Sequence, residues 1–285
     1  MNFVTFKRFY SDIASWEKNL PFFDAVCGVP RSGLIPAAYI ALRRNIRLVE
    51  FHSLVSQTSS CIDTAMIRSN NPLLKKEKGN KILIVDDATS EDGLTLKWIK
   101  KQLINSQALD ISYGVVYGAK ENTEADYVYR VIPQNRIFEW NWLRNRRLAE
   151  VLFDCDGVLC HDWISRLEQT NDPGFLAHVQ NVRPLFIPQV PILGVVTSRI
   201  EKYRAETDKW LRSHGIVFKH LIMHPAKTPH ERRMLADHGK RKAKFYSDSN
   251  ATLFIESDIK QSIEIHQLTG KPVLCTDTME FFPGD

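Results

Sequence analysis

Cysteine is scarce and shows no pairing pattern. Cys27, Cys61, Cys155, Cys160 and Cys275 are scattered through 285 positions, and no two form a Cys-x-x-Cys pair. An odd, dispersed set argues against a disulfide framework or a thiolate zinc site, and a reducing compartment is the default expectation. Long apolar runs are missing too. No stretch reaches the ~18 residues a membrane helix needs. The first residues, MNFVTFKRFYSDIASWEK, carry no signal-peptide apolar core. The expectation is a cytoplasmic chain with no membrane partner. Repeats and low-complexity tracts are absent. Neither sign of charge prevails strongly: 38 Lys and Arg face 33 Asp and Glu, a net of +5. That mild excess suits anionic substrates such as phosphates and admits nucleic acid. No stripe of interleaved basic and aromatic residues marks a nucleic-acid face, however.

What is present is material for two cores. Hydrophobic residues make up 44% of the chain and charged residues 25%, and 285 residues predict two domains. Short β-like runs at 24–28, 47–51, 81–85 and 111–117 alternate with helix-like runs at 34–45 and 94–106. Pro36 near the start of the first helix, and basic residues in its last turn, fit helix-end chemistry. The polar stretch 53–80 is expected to be a long loop of the kind that is functional or disordered. After the Arg/Trp-rich segment FEWNWLRNRR (138–147) the pattern restarts. Strands are expected at 149–153, 192–197, 216–223, 251–255 and 272–275, with helices at 200–213, 228–238 and 258–268, the last closed by Gly270. The fold class is therefore α/β, with two doubly wound parallel-sheet (Rossmann-like) domains at 1–147 and 148–285.

In open parallel sheets, ligands bind outside the carboxyl ends of the strands. Two strands of the first half end in informative loops. CGVPRSGLIPA (27–37) is a glycine-bearing turn leading into a helix, where free N–H groups and Arg31 suit a polyanion. ILIVDDATSEDGLTL (82–96) places two acids and then a Thr/Ser/Gly loop ahead of a helix. Amides and hydroxyls there can cradle a phosphate, and the acids can accept from sugar hydroxyls. Taken alone, Asp86 and Asp87 also read as strand-end and capping acids.

Together the two loops resemble the type I phosphoribosyltransferase family over about residues 20–145. The resemblance implies that Asp86 and Asp87 hold the ribose 2- and 3-hydroxyls of phosphoribosyl pyrophosphate (PRPP). Thr89, Ser90, Gly93 and Thr95 would hold its 5-phosphate. Arg31, Ser32 and Gly33 would hold its pyrophosphate, with Mg²⁺ on the pyrophosphate oxygens. A base-like acceptor would take the phosphoribosyl group, and homodimers are common in that family. The loop DDATSEDGLT is one residue longer than the usual pattern and brings Glu91 and Asp92 near the phosphate position. Arg68 could fold over the pyrophosphate or be simply solvated. Trp140 and Trp142 could stack on a base or serve interdomain packing.

In the second half, FDCDGVLCHD (153–162) ends an apolar strand in two aspartates one residue apart. In such a pair one carboxylate can attack phosphorus, while the other protonates the leaving group and later activates water. A divalent cation offsets their repulsion, and Gly157 permits a sharp exit. The plain alternative is a strand-end turn with a solvated acid. Downstream come Thr197–Ser198 after an apolar strand, a Lys-bearing stretch HGKRKAKFY (238–246), and ATLFIESD (251–258) ending in acids suited to Mg²⁺. This order resembles the four motifs of the haloacid dehalogenase (HAD) superfamily of phosphatases, over about 148–285. The resemblance implies a HAD-like domain with Asp154 as nucleophile and metal ligand. Asp156 would be the acid/base, with its main-chain carbonyl on the metal, and Thr197 would bind the phosphoryl group. Glu256 and Asp258 would be the metal-side acids, with the choice between them left open. Lys242 is taken as the motif lysine over Lys227, Lys240 and Lys244. Residues 161–190 leave room only for a minimal cap, so the site should be fairly open. Cys155 and Cys160 read as small core residues. The histidine-containing stretches 220–230 and 238–240 read as surface.

The functional expectation is a bifunctional enzyme of nucleotide or nucleoside metabolism. It would move phosphoribose from PRPP to a base-like acceptor and hydrolyse the resulting phosphomonoester through an aspartyl phosphate. The rival is a phosphatase acting on nucleic-acid or sugar phosphates, with the first domain a catalytically inactive PRPP- or nucleotide-sensing module.

Overall fold

The computed structural model describes residues 1–56, 81–90, 92–104, 110–121, 124–133, 135–163 and 172–285. These residues form two compact units, Phe6–Arg136 on one side and Met1–Thr5 with Ile137–Asp285 on the other. The sequence places the change at 147/148. The units divide earlier because β1 (Asn2–Val4) pairs with a strand at 136–138, and because Phe3, Ile137, Trp142 and Leu148 join the core of the later unit.

The unit Phe6–Arg136 begins with α1 (Phe6–Glu17). It continues through β2 (Ala25–Gly28), α2 (Leu34–Arg44), β3 (Arg47–Val49), α3 (Phe51–Ser56), β4 (Lys81–Ala88), α4 (Leu94–Gln102), β5 (Asp110–Gly118) and β6 (Tyr127–Val131). The sheet runs β3-β2-β4-β5-β6, parallel throughout. In β4 the four residues Ile82–Val85 are all buried, as a central parallel strand covered on both faces requires. The chain order reverses between neighbours β2 and β4, which is the switch point where such sheets bind ligands. Helix α1 and strand β6 were not read from sequence. The expected loop 53–80 starts inside α3, and its remainder, with Arg68, lies outside the described residues, as does Glu91.

The second unit takes in Ile137 and Phe138 of β7 (Arg136–Phe138), then β8 (Val151–Phe153), α5 (Asp172–Asn181), β9 (Ile192–Ile200) and α6 (Arg204–Ser213). It then runs through β10 (Phe218–His224), α7 (Pro229–Leu235), α8 (His238–Asp248), β11 (Leu253–Glu256), α9 (Ile259–Thr269), β12 (Val273–Cys275) and β13 (Glu280–Phe282). Its sheet runs β10-β9-β8-β11-β12-β13, with the switch point between β8 and β11. The expectation of a purely parallel sheet is corrected at the edge, where β13 returns antiparallel to β12 through a short turn. Gly270 closes α9 at φ 61, as expected. The Lys-bearing stretch expected ahead of a strand forms helix α8, which directly precedes β11. Its buried residues Gly239, Lys242, Ala243 and Tyr246 recur at helical spacing.

Trp142 is a core residue here. It is 5% exposed and stacks on Phe153 with ring centroids 6.0 Å apart. Trp140 instead stacks on Phe138 at 4.8 Å. Among the described residues, no helix is long and apolar enough to cross a membrane. Replacing Trp142 with Ala should destabilise this unit by about 3–5 kcal/mol, the usual loss for a buried Trp. Denaturant titration checks this. A loss under about 1 kcal/mol, the size of a surface change, would contradict the core assignment.

Candidate functional site

The first candidate site lies at the β2/β4 switch point. Gly33 follows the β2 turn, and a Cβ there would sit 2.6 Å from the Val85 carbonyl oxygen and 2.7 Å from that of Val29. Only glycine lets this turn close on the sheet. The turn presents Ser32, whose hydroxyl donates to Asp87 Oδ1 at 2.8 Å, so a bond across 55 residues joins the two loops. Asp86 Oδ1 accepts from the Asp87 amide at 2.8 Å. Asp86 shares a small recess with Thr89 and Thr95. Its carboxyl is pushed well above the ordinary value, first by burial and then by the Asp87 charge.

The expected phosphate loop uses much of its hydrogen bonding internally. Thr89 is 5% exposed, and its hydroxyl accepts from the Ala119 amide at 3.2 Å. Buried Arg136 donates to the Thr89, Gly118 and Ile132 carbonyls, anchoring the end of β4. The Ser90 hydroxyl donates to Asp92, which also accepts from the Leu94 amide. Asp92 is thereby held below the usual carboxylate range, mainly by Ser90. Gly93 opens α4 at φ 61. Arg31 and Thr95 are exposed.

The second candidate site lies at the β8/β11 switch point. Asp154 leaves β8 with its amide on the Ile255 carbonyl at 2.8 Å. Lys242, from α8, is 3% exposed and reaches Asp154 Oδ2 at 2.9 Å and Glu256 Oε2 at 2.6 Å. It also donates to Gln261 Oε1 at 3.0 Å. The motif lysine chosen from sequence thus stands between two of the predicted acids. Burial and the Glu256 charge push the Asp154 carboxyl up, and Lys242 pulls against them. For Lys242, burial opposes the charge, but Asp154 and Glu256 outweigh it and raise the ammonium above its ordinary value.

Asp156 is gripped by Arg199, which the sequence reading missed although it follows Thr197–Ser198 directly. Arg199 Nε donates to Asp156 Oδ2 at 2.9 Å and Nη2 to Oδ1 at 2.6 Å, with the arginine side chain 1% exposed. Burial alone would raise Asp156, but Arg199 outweighs burial and holds it below the usual range. Gly157 makes the expected sharp exit at φ 79, where a Cβ would run into the Ser257 side chain. Thr197 is 5% exposed and its hydroxyl accepts from the Arg199 amide at 3.1 Å; the neighbouring Ser198 lines the cavity. Glu256 Oε1 accepts from the amides of Ser257 and Asp258, and Asp258 Oδ1 caps α9 through the Gln261 amide.

Asp154, Asp156, Ser198, Lys242, Glu256 and Asp258, but not Thr197 or Arg199, line a cavity of about 320 Å³ together with Asp162, Trp163, Phe175, Tyr203, Arg232 and His238. The reading of the histidine stretches as surface is corrected. His224 is 2% exposed, and His238 lines the cavity. His224 Nδ1 accepts from the Ala226 amide at 3.1 Å, so its proton sits on Nε2, 3.0 Å from Asp237 Oδ1. That leaves the His224–Asp237–His238 cluster without a free ring nitrogen at His224 for a metal. At the main site the donor chemistry does suit a hard divalent cation. Asp154, Asp156, Asp162, Glu256 and Asp258 line the cavity, against Lys242 and Arg232.

No family model matches the chain. Solved structures that resemble part of it include a Helicobacter pylori xanthine-guanine-hypoxanthine phosphoribosyltransferase, at 16% identity and TM-score 0.36 over 49% of this chain and 91% of that one. A purine phosphoribosyltransferase from Pyrococcus horikoshii matches at 20% identity and TM-score 0.33, over 49% and 92%. A Trypanosoma cruzi hypoxanthine phosphoribosyltransferase in complex with IMP matches at 14% identity and TM-score 0.29, over 45% and 74%. The matches span about half of this chain, and at such TM-scores they are too distant to bear on its activity.

Two substitutions probe these environments. Below the unfolded-state value of about 3.9, Asp86 is protonated in both states and its burial carries no charge penalty. As pH rises through the raised folded value, the native protein loses stability relative to the unfolded chain. Asp86→Asn should therefore melt higher than wild type at pH 8, with the gap closing toward pH 4. A variant no more stable at pH 8 would contradict the burial argument. Lys242→Met strands Asp154 and Glu256 against each other. It should destabilise the protein by about 3–5 kcal/mol at neutral pH, and by less in acid, where one carboxyl can take a proton. A pH-independent loss in urea titrations would contradict this.

Proposed function

We propose that the unit Ile137–Asp285 is a HAD-like, Mg²⁺-dependent phosphomonoester hydrolase. The bridge from Lys242 to Asp154 and Glu256, set at the strand ends where an α/β sheet receives ligand, carries this reading. Asp154 attacks phosphorus through a carboxylate oxygen, and the bond to the leaving-group oxygen breaks as the new P–O bond forms. Water then attacks the same phosphorus, which frees inorganic phosphate and restores the carboxylate. Lys242 orients Asp154 and offsets the Glu256 charge. Asp156, held ionised by Arg199, is ready to accept the water proton. Donating a proton to the leaving group requires the Arg199 pair to loosen first. Asp154, the Asp156 main-chain carbonyl, Glu256 and Asp258 are the groups that would hold Mg²⁺, with Glu256 already engaged by Lys242 and Asp258 by α9. When bound, the cation supplies charge neutralisation for the incoming phosphoryl group.

For the unit Phe6–Arg136 we propose phosphoribosyl transfer from PRPP to a base-like acceptor, with the product's 5-phosphate removed by the hydrolase. The Ser32–Asp87 bond supports this by joining the pyrophosphate turn to the ribose-binding acids. A second reading has its own support. Thr89, Ser90 and Asp92 spend their polar groups on one another and on the backbone, which favours a PRPP- or nucleotide-sensing module without turnover.

Asp154→Asn should lower aryl phosphate hydrolysis by ~10³ or more while leaving the fold intact. With labelled PRPP and an acceptor, wild type should release pyrophosphate and then phosphate, and Asp154→Asn should stop at the 5-monophosphate. Retained hydrolysis within tenfold of wild type would overturn the nucleophile. Pyrophosphate release with no phosphorylated product in the variant would overturn the relay. PRPP binding without turnover over a panel of bases would favour the sensor.

A further inference from the structure

The wall of the Asp154 cavity is of two kinds. One part is polar and linked by ion pairs: Asp154, Lys242 and Glu256. The other is aromatic. Trp163 meets Phe175 edge-on at 5.7 Å between ring centroids, and Phe175 meets Tyr203 at 4.9 Å. Tyr203 is 3% exposed and backs the cluster with Ile200, while Trp163 and Phe175 keep part of their surface open. Beside them Arg232 donates through Nη1 to the Ser198 carbonyl at 3.2 Å, and its buried Nε has no hydrogen-bond partner among the described residues.

A small hydrophilic phosphate would leave this aromatic wall uncovered. A planar ring on the leaving group would stack on it, and Arg232 would meet the ring's polar edge. The volume, about 320 Å³, lies at the small end of ligand pockets and suits one mononucleotide better than a polymer end. We infer that this site selects phosphomonoesters whose leaving group carries a planar aromatic ring, nucleoside monophosphates being the matching class, through Trp163, Phe175 and Arg232. The inference rests on the phosphatase reading for its chemistry and on the cavity wall for its specificity.

The test uses the full chain carrying Asp154→Asn, with Mg²⁺, and calorimetric binding of guanosine 5-monophosphate, uridine 5-monophosphate and ribose 5-phosphate. The nucleotides should bind at least about tenfold tighter than ribose 5-phosphate, the scale of one stacked base. Adding Phe175→Leu should remove most of that advantage and leave ribose 5-phosphate affinity as it was. Trp163→Leu is the second variant, should Phe175→Leu prove unfolded by its melting curve. Adding Asp87→Ala instead should keep the advantage, which places the nucleotide in the Asp154 cavity. Equal affinities, an advantage that survives both aromatic substitutions, an advantage lost with Asp87→Ala, or tighter binding of an end-phosphorylated oligonucleotide would each overturn the inference. Hydrolysis by wild type is read separately. If no phosphomonoester is cleaved, the phosphatase reading fails, while the binding comparison still decides the specificity of the wall.

Discussion

Lys242 is the point on which the second unit's candidate site depends. One ammonium, taken out of water, holds two carboxylates that arrive from different strands, at 2.9 and 2.6 Å. Removing ions from water is expensive, and a buried pair often contributes little net stability. Breaking one is different, because the orphaned charge stays buried. Asp154, Lys242 and Glu256 therefore specify an arrangement more than they stabilise it. They also leave one net negative charge, which suits an incoming cation or a proton. The Asp156–Arg199 pair beside them is neutral as a unit. The site thus separates a carboxylate pushed upward, Asp154, from one held down, Asp156. Opposed environments of this kind are how neighbouring carboxyls come to take different chemical roles.

The sheets explain why these residues meet. In each unit the chain order reverses beside the first sheet strand to carry a site motif, between β2 and β4 and between β8 and β11. A reversal separates the helices on the two faces and opens a crevice at the carboxyl edge. Gly28, Asp86 and Asp87 stand at the first such edge; Asp154 and Glu256 stand at the second. The two loops of the first unit are then tied by Ser32 and Asp87, and its β4 end is fixed by Arg136. At the first site the hydroxyls of Ser32, Thr89 and Ser90 are already engaged within the protein.

Much of this was legible in the sequence because strand ends announce themselves. Apolar runs stopping at Asp86–Asp87, Asp154 and Glu256 gave the strands and their carboxyl edges, and with them the acids that stand there. Lys242 could be singled out by its place ahead of an apolar strand, but its helix could not, since the polar run HGKRKAKFY hides four buried positions at helical spacing. Arg199 was missed because an arginine after Thr–Ser reads as solvated; only the fold brings it to Asp156, 43 residues away. The aromatic wall was equally hidden. Trp163, Phe175 and Tyr203 are spread over separate elements and carry no spacing signal. Trp142 was ambiguous for the opposite reason: an aromatic in an Arg-rich segment looks like a ligand contact, yet packing on Phe153 decides it. β1, β7 and β13 are three-residue strands, too short to show a period.

On the proposed hydrolase reading, Asp154 becomes covalently phosphorylated. Wild-type protein mixed with an aryl phosphate and Mg²⁺, quenched in acid within the first turnover and digested, should yield the peptide containing Asp154 with one phosphoryl group, sensitive to hydroxylamine. Hydrolysis that proceeds with no phosphorylated peptide at any quench time, or with the group on another residue, would contradict the account.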